Sequence, residues 1–241
     1  MRIGITIPTL SNYGGLIESI NSMRSSQHHL EFSIVNTGMT GLSVAAAWNG
    51  GVDDLLRRGC GAVIVSNDDV LCHRGTIDGL VAAWLDGDAD LVSARNVRGT
   101  VGVLDFLTSD IACVGPFDEG PSPDFSFFLL PSKTWEVVGR FDENFRPAYF
   151  EDNDYHARLV LSGLRAVNTS RAPFYHFGSG TQNADPKKAA VPAAIFDANR
   201  DYFVAKWGRP PVNDEAEMRV VYYPTPFNDP LISLSACPKL R

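Results

Sequence analysis

Gly61-Ala62-Val63-Ile64-Val65-Ser66-Asn67-Asp68-Asp69 is a short, wholly apolar run closed by a polar and then acidic turn. Four consecutive apolar residues between Gly61 and Ser66 read as a buried strand of a parallel sheet, since a strand covered on both faces has no polar side to alternate. Upstream, Ile3–Ile7 is β-rich and stops at Pro8, which cannot continue a central ladder, and Phe32–Val35 is a second strand. Leu16, Ile20 and Met23 recur at helical spacing between them, and Leu42–Leu56 is a second helix that Gly50 and Gly51 should weaken or kink. Downstream, a helix over Ile77–Leu85 leads to a strand at Leu91–Ala94.

Strands alternating with helices imply right-handed crossovers and an α/β, Rossmann-like, mostly parallel sheet flanked by helices on both faces. Ligands of such sheets lie beyond the carboxyl ends of the strands. The residues to inspect are then Pro8-Thr9-Leu10, Asn36-Thr37-Gly38 and Ser66-Asn67-Asp68-Asp69. The segment from Asn96 to Pro123 is rich in Gly, Pro and Asp and reads as loops and edge strands. Phe125–Leu130 is an apolar strand, Glu151–Leu161 a helix stopping at Gly163 as an αL cap, and Arg165–Asn168 a strand. Ile195–Lys206 is a last amphipathic helix. The tail beyond Trp207 contains six prolines and reads as an extended arm packed over the domain.

The 241 residues suffice for one substantial core or at most two small domains, and 44% hydrophobic with 20% charged residues is an ordinary globular composition. A net charge of −7 argues against nucleic-acid binding, which needs a basic surface, but not against a nucleotide whose diphosphate is neutralised by a cation. No stretch approaches the roughly 20 apolar residues of a transmembrane segment, and Ile3–Ile7 follows the N-terminus with no signal-peptide pattern, so a cytoplasmic protein is expected. Cys60, Cys72, Cys113 and Cys237 lack metal-knuckle spacing and are expected as free thiols.

Three clusters carry candidate chemistry. Asp68-Asp69 follows a strand's carboxyl end, where one or two carboxylates suit a hard cation that leaves its other positions to phosphate and water; a turn or N-cap is the bland alternative. Asp86, Asp88 and Asp90 also resemble a cation loop, but Leu91 stands where a calcium loop needs glycine, and they read as a solvated connector. Glu151-Asp152-Asn153-Asp154 opens a helix, where acids are favoured by the macrodipole alone. The apolar Tyr149-Phe150 before them would partly desolvate a carboxylate, which suits a general base. Ala172–Ser179 is an apolar strand that places His176 before a glycine-rich turn, either as a packed residue or as a ligand completing a cation site, with a mixed nitrogen and oxygen set favouring Mn²⁺ over Mg²⁺.

In this order, ITIPTL, AAAWNGGV, VIVSNDDV, VVGRFDENF with YFEDNDYHARLVLSGLRAV, and HFGSG resemble glycosyltransferase family 2 of the GT-A fold, most closely its rhamnosyltransferase-like members. The likeness covers Ile3 to Gly180 and, more loosely, Tyr202–Gly208. It implies a single domain with a C-terminal extension: residues 1–180 catalytic, with a nucleotide-sugar half at about 1–95 and an acceptor half at 96–180, then a helix and extended tail over 181–241. By the same resemblance Pro8, Thr9, Asn36, Asn49, Asn67 and Asp68 border the donor, and Asp68, Asp69 and His176 hold a divalent metal, Mn²⁺ or Mg²⁺. Asp152 is the catalytic base, with Glu151 shaping its surroundings. Asn36 replaces the family's usual aspartate and Ser66 the first acid of its Asp-x-Asp motif, while Phe127 and Phe128 replace smaller residues at the acceptor side. The implied reaction is an inverting transfer from a UDP- or dTDP-linked sugar to a glycan, lipid-linked, small-molecule or protein acceptor. The alternatives are a degenerate nucleotide-sugar or glycan-binding domain and a sugar nucleotidyltransferase, the latter disfavoured because Ser11–Gly15 has no basic residue.

Overall fold

The computed structural model describes residues 1–10, 13–87, 89–109, 123–178 and 193–222. One sheet is built from β1 (Arg2–Thr9), β2 (His29–Asn36), β3 (Ala62–Ser66), β4 (Val70–Cys72), β5 (Leu91–Asn96), β6 (Phe127–Pro131) and β7 (Ala166–His176), in the order β2-β1-β3-β6-β5-β7-β4. β1 is parallel to β2 and β3, and β5 to β7, while β6 and β4 run against their neighbours, so five of the seven strands share one direction. The helices are α1 (Tyr13–Ser22), α2 (Thr37–Thr40), α3 (Val44–Arg57), α4 (Thr76–Asp86), α5 (Val103–Thr108), α6 (Ser132–Val138), α7 (Glu151–Leu161), α8 (Ala193–Trp207) and α9 (Glu215–Val221).

Period-two alternation sends successive strand residues to opposite faces. Val63, Val65, Phe128 and Leu130 pack with Trp48, Val52 and Leu55 of α3, Leu159 of α7 and Phe203 and Trp207 of α8. Ala62, Ile64, Phe127 and Leu129 meet Leu16 of α1 and Ile77, Leu80 and Val81 of α4 on the other face. Both faces being covered is what makes the 62–65 run apolar throughout. Among the described residues, no helix is long and apolar enough to cross a membrane.

Several elements depart from the sequence reading. Gly51 does not break α3: a Cβ there would lie 1.9 Å from Thr6 Oγ1, so the glycine lets the helix lie close on β1. The segment after Asn96 includes a helix, α5, rather than only loops and edge strands. The strands expected at Arg165–Asn168 and near Phe174 are one strand, β7, whose register jumps from Thr169 opposite Ala94 to Pro173 opposite Arg95. Part of the expected extended arm is helical: α9 is capped by Asp214, whose side chain accepts from Glu217 N. Asp86 pairs with Arg171 at 2.8 Å and Asp90 accepts from Arg165 N at 3.0 Å, consistent with a connector. Cys60 and Cys72 are buried free thiols. Ser11, Asn12, Asp88, Cys113, Ser179, Gly180, Cys237 and the end of the tail lie outside the described residues.

The C-terminal helix is anchored by a buried cation. Lys206 Nζ of α8 lies 2.7 Å from Asp142 Oδ2 and 2.8 Å from Asp154 Oδ1, with all three side chains inaccessible. Burial pulls the ammonium's pKa down, but Asp154 and Asp142 outweigh it and hold the group above its ordinary value. Trp207 Nε1 donates to Asp154 and Tyr202 Oη to Asp142, completing the network. Removing the ammonium leaves Asp142 buried without a countercharge and Asp154 with Arg158 alone, at 2.9 Å, so Lys206→Met should lose about 3–5 kcal/mol in urea denaturation. A loss below about 1 kcal/mol would mean that the network is not what fastens α8 to the domain.

Candidate active site

The acidic turn is placed by a chain-length constraint. Only Asn67, Asp68 and Asp69 separate β3 from β4, yet β4 lies four strands along in hydrogen-bonding order. Four Cα steps reach about 14 Å, whereas four strand spacings in a flat sheet are about 19 Å. The sheet must therefore curl, and the register jump in β7 is the irregularity that bends that strand. The first residue of β4, Val70, pairs with His176, the last of β7. This pairing brings His176 Nε2 to 3.0 Å from Asp69 Oδ1 and 3.4 Å from Asn67 Nδ2, and Phe177 N donates to Asp69 O. From the other side Thr9 Oγ1, at the end of β1, donates to Asp68 Oδ2 at 2.6 Å.

The second acidic cluster arrives on α7. Tyr149 and Phe150 both hold left-handed backbone, φ 81° and 75°, which turns the chain sharply into the helix. Asn199 of α8 donates from its amide to the carbonyls of Arg146, Ala148 and Tyr149 and so holds this turn. A helix turns about 100° per residue, and the four residues of the cluster divide accordingly. Glu151, Asp152 and Asn153 line a cleft of about 1020 Å³, while Asp154 is fully buried on the Lys206 network. Asp68, Asp69 and His176 line the same cleft. Carboxylates 68 and 152, 84 residues apart in sequence, thus share one cavity.

Burial pushes the Glu151 carboxyl well above the ordinary range, and the neighbouring Asp152 charge adds to it. Asp152 is also raised by burial, against the backbone hydrogen bond from Asn153 N at 2.8 Å, which favours its ionised form. Both carboxyls of the pair are therefore more basic than solvated ones, Glu151 the more strongly raised.

The remaining expected residues are spread more widely. Pro8 and Asn67 line the cleft. Thr9 is buried behind Asp68 rather than on the cavity wall. Asn36 is also off the wall: it caps α2, accepting from Met39 N and donating to Tyr13 Oη, and its neighbour Thr37 takes the position facing the cleft. Asn49 is fully buried on the core side of α3, bonded to Phe141 N and O and to Glu143, so its place is architectural; Trp48 and Val44 face the cleft instead. Ser66 Oγ is turned onto Asn67 O. The sequence reading missed His156, one turn along α7 from Asp152 and bonded to Glu215 at 3.3 Å, a position that i, i+4 spacing could have signalled. It also missed Asn168, Asp124 and Asn213, for which the sequence holds no local signal.

Two adjacent carboxylates, Asp68 and Asp69, are the kind of oxygen donors that a hard divalent cation takes. His176 Nε2, 3.0 Å from Asp69 Oδ1, is engaged with that carboxylate. Among the described residues no group of three or more His, Cys, Asp or Glu stands in a geometry that could hold a metal ion, Asp68, Asp69 and His176 included. An incomplete protein shell is the arrangement in which a substrate's phosphates supply the other ligands.

No family model matches the chain. A galactofuranosyl glycosyltransferase of Leishmania donovani is 36% identical over 84 residues, spanning 34% of this chain and 19% of that protein. The chain therefore aligns with only about a fifth of that relative's length. Among solved structures, S. aureus TarS 1–349 in complex with UDP-GlcNAc superposes with a TM-score of 0.55 at 12% identity, covering 92% of this chain and 70% of that one. Mannosyltransferase PcManGT from Pyrobaculum calidifontis, in complex with GDP-Man and Mn²⁺, gives 0.55 at 14% identity, covering 90% and 68%. At such identities the likeness defines the fold: this chain has the GT-A glycosyltransferase fold.

Glu151 makes stability pH-dependent with a definite sign. Its folded pKa lies above the unfolded value, so the native state binds the extra proton and stability falls as pH rises past about 4.5 toward the folded pKa. Glu151→Gln removes this loss. The variant should therefore have a higher Tm than wild type at about pH 8, and the difference should shrink toward about pH 4. Parallel melting curves for the two proteins across that range would count against the buried-acid assignment.

Proposed function

We propose that this protein transfers a glycosyl group from a nucleotide-sugar donor to an acceptor hydroxyl, with inversion at the anomeric carbon. The observation that carries the proposal is the composition of the cleft. Asp68, Asp69, Asp124, Glu151 and Asp152 all line it, and among the described residues no Lys or Arg does. A diphosphate entering such a cavity meets net negative charge, and needs a cation between itself and the acidic turn. Asp68 and Asp69, with His176, would hold that ion, Mn²⁺ or Mg²⁺. When bound, it supplies charge neutralisation for the departing nucleoside diphosphate.

The chain's own residues supply the rest. Thr9 fixes the Asp68 carboxylate through its hydroxyl, and the β4–β7 pairing fixes Asp69 against His176. Pro8, Leu10 and Thr37, at the ends of β1 and β2, bound the end of the cleft suited to the nucleoside. Asp152 takes the proton from the acceptor hydroxyl as its oxygen attacks the anomeric carbon and the bond to the diphosphate breaks. Glu151 keeps the neighbourhood desolvated, which keeps Asp152 basic. The GT-A fold, and the UDP-GlcNAc and GDP-Man complexes of its structural neighbours, support a nucleotide sugar as donor. Membership of glycosyltransferase family 2 and a rhamnosyl-type donor, UDP- or dTDP-linked, are part of this proposal.

Two variants test it with a panel of UDP-, dTDP- and GDP-linked hexoses and Mn²⁺. Asp152→Asn should lower transfer by about 10²–10⁴-fold while the donor Kd stays within about twofold; near-wild-type turnover would remove Asp152 from the role. Asp68→Ala should weaken Mn²⁺-dependent donor binding in calorimetry by at least about tenfold. Equal affinity with and without the metal, in both proteins, would overturn the cation assignment.

A further inference from the structure

His156 stands one turn beyond Asp152 on α7, and both line the cleft. Its side chain is only 6% exposed, and its ring tilts against Phe125 at a centroid distance of 6.0 Å. Nε2 lies 3.3 Å from Glu215 Oε1 of α9. That oxygen also accepts from Ala166 N of β7 at 3.1 Å, so Glu215 is fixed from two sides. A carboxylate only accepts, so the imidazole nitrogen facing it carries a proton, and Nδ1 is where the ring gains or loses its charge.

The bland account is that His156 fastens α9 to α7, but α9 is fastened without it. Arg219 donates to Val160 O and Leu164 O at 2.7 and 3.2 Å, Glu215 accepts from β7, and Met218 is buried in the core. What the cleft lacks is positive charge. Its wall carries five acids, and among the described residues its only lining groups able to become cations are His156 and His176. His176 is engaged with Asp69, at the other acidic cluster. His156 is therefore the group available to offset charge at the α7 end.

We propose that His156, oriented by Glu215, is a positioning residue for the transfer: its imidazolium is the countercharge against which Asp152 is held. The inference rests on the transferase reading above and adds to it a residue that acts through Asp152 rather than on the substrate. The acceptor's proton still goes to Asp152; His156 governs how readily that carboxylate is free to take it. Side chains four apart on a helix have Cβ atoms about 5–6 Å apart, within the range at which an opposite charge favours an ionised carboxyl. Burial raises the Asp152 carboxyl, and backbone N–H groups together with the His156 charge work against it. The other ionisable groups around the ring are Glu151 on α7, Asp124 ahead of β6, and Glu215 with Arg219 on α9, Arg219 lying 3.9 Å from the other oxygen of Glu215. β7 meets the cluster through the Ala166 N–H.

Carbon NMR of the carboxyl groups in the ligand-free full chain, titrated from about pH 3 to about pH 8, tests the pairing without any donor. Asp152→Asn identifies the Asp152 resonance. His156→Gln keeps an N–H for Glu215 and removes the charge; His156→Phe keeps a ring against Phe125 and removes it too. Each should raise the pH at which Asp152 titrates by about half to one unit. Nucleoside diphosphate release, to water or an added methyl hexoside, is then followed with Mn²⁺ and whichever panel nucleotide sugar binds. The acidic limb of kcat/KM should move up by the same amount in both variants, a loss of about 3–10-fold on that limb that closes as pH rises, with donor Kd within about twofold. A residue that only packs would leave the limb in place. An Asp152 titration unmoved in both variants, or a displaced titration with an unmoved limb, overturns this inference alone. Failure of wild type to bind any nucleotide sugar overturns the transferase reading, and the positioning role with it.

Discussion

A connection of three residues governs the site. Because Asn67, Asp68 and Asp69 must carry the chain from β3 to a strand on the far side of β7, the sheet is obliged to curl and the acidic turn to lie across its end. The same constraint selects the partner. β4 begins where the turn ends and pairs with the last residues of β7, so Asp69 and His176 meet although 107 positions apart. Lengthening the turn would relax the curl and release that contact. The turn's shortness is therefore a positional device, in the way a rigid scaffold aims a functional loop.

The second half of the site is held from behind. Left-handed backbone at two bulky residues costs about 1–3 kcal/mol each and persists only where its surroundings over-determine it. Here Asn199 satisfies three carbonyls of the turn, while Lys206 and Trp207 hold Asp154, two residues beyond Asp152 on the same helix. All three restraining residues belong to α8. The helix that follows α7 and β7 in sequence is thus part of the cleft's support, and the position of Asp152 depends on contacts it does not itself make.

The layered fold was legible because burial on two faces leaves an unambiguous mark: Ala62–Val65 has no polar residue, and α7 was read with the bounds it has, ending before Gly163, where φ is 81°. The strand β4 was not readable, since three residues carry no periodicity, and α5 lay in a segment whose Gly and Pro content resembles loop. Within the site, the acids were legible from type and position, but orientation was not. Asp154 looks equivalent to Asp152 in sequence and faces the opposite way. Asn49 looks like a polar residue spared for a ligand, yet it ties α3 to the backbone at Phe141, a contact 92 residues distant in sequence. Trp48, beside it, packs on Phe128 and Phe141 and also lines the cleft, a double placement that its sequence neighbours do not signal.

These features share a thermodynamic character. Clustered carboxylates, two buried acids side by side and strained φ angles each lower the stability of the chain. None improves packing. The fold tolerates them because they lie at one end of the sheet, outside the two apolar layers formed by β3 and β6 with the helices on either side. Those layers carry the packing, while the acidic side chains gather beyond them, at the end where β1 and β3 finish and β6 begins. Like charges set at the rim of a packed sheet cost the core nothing in shape, which is why such a fold can carry them.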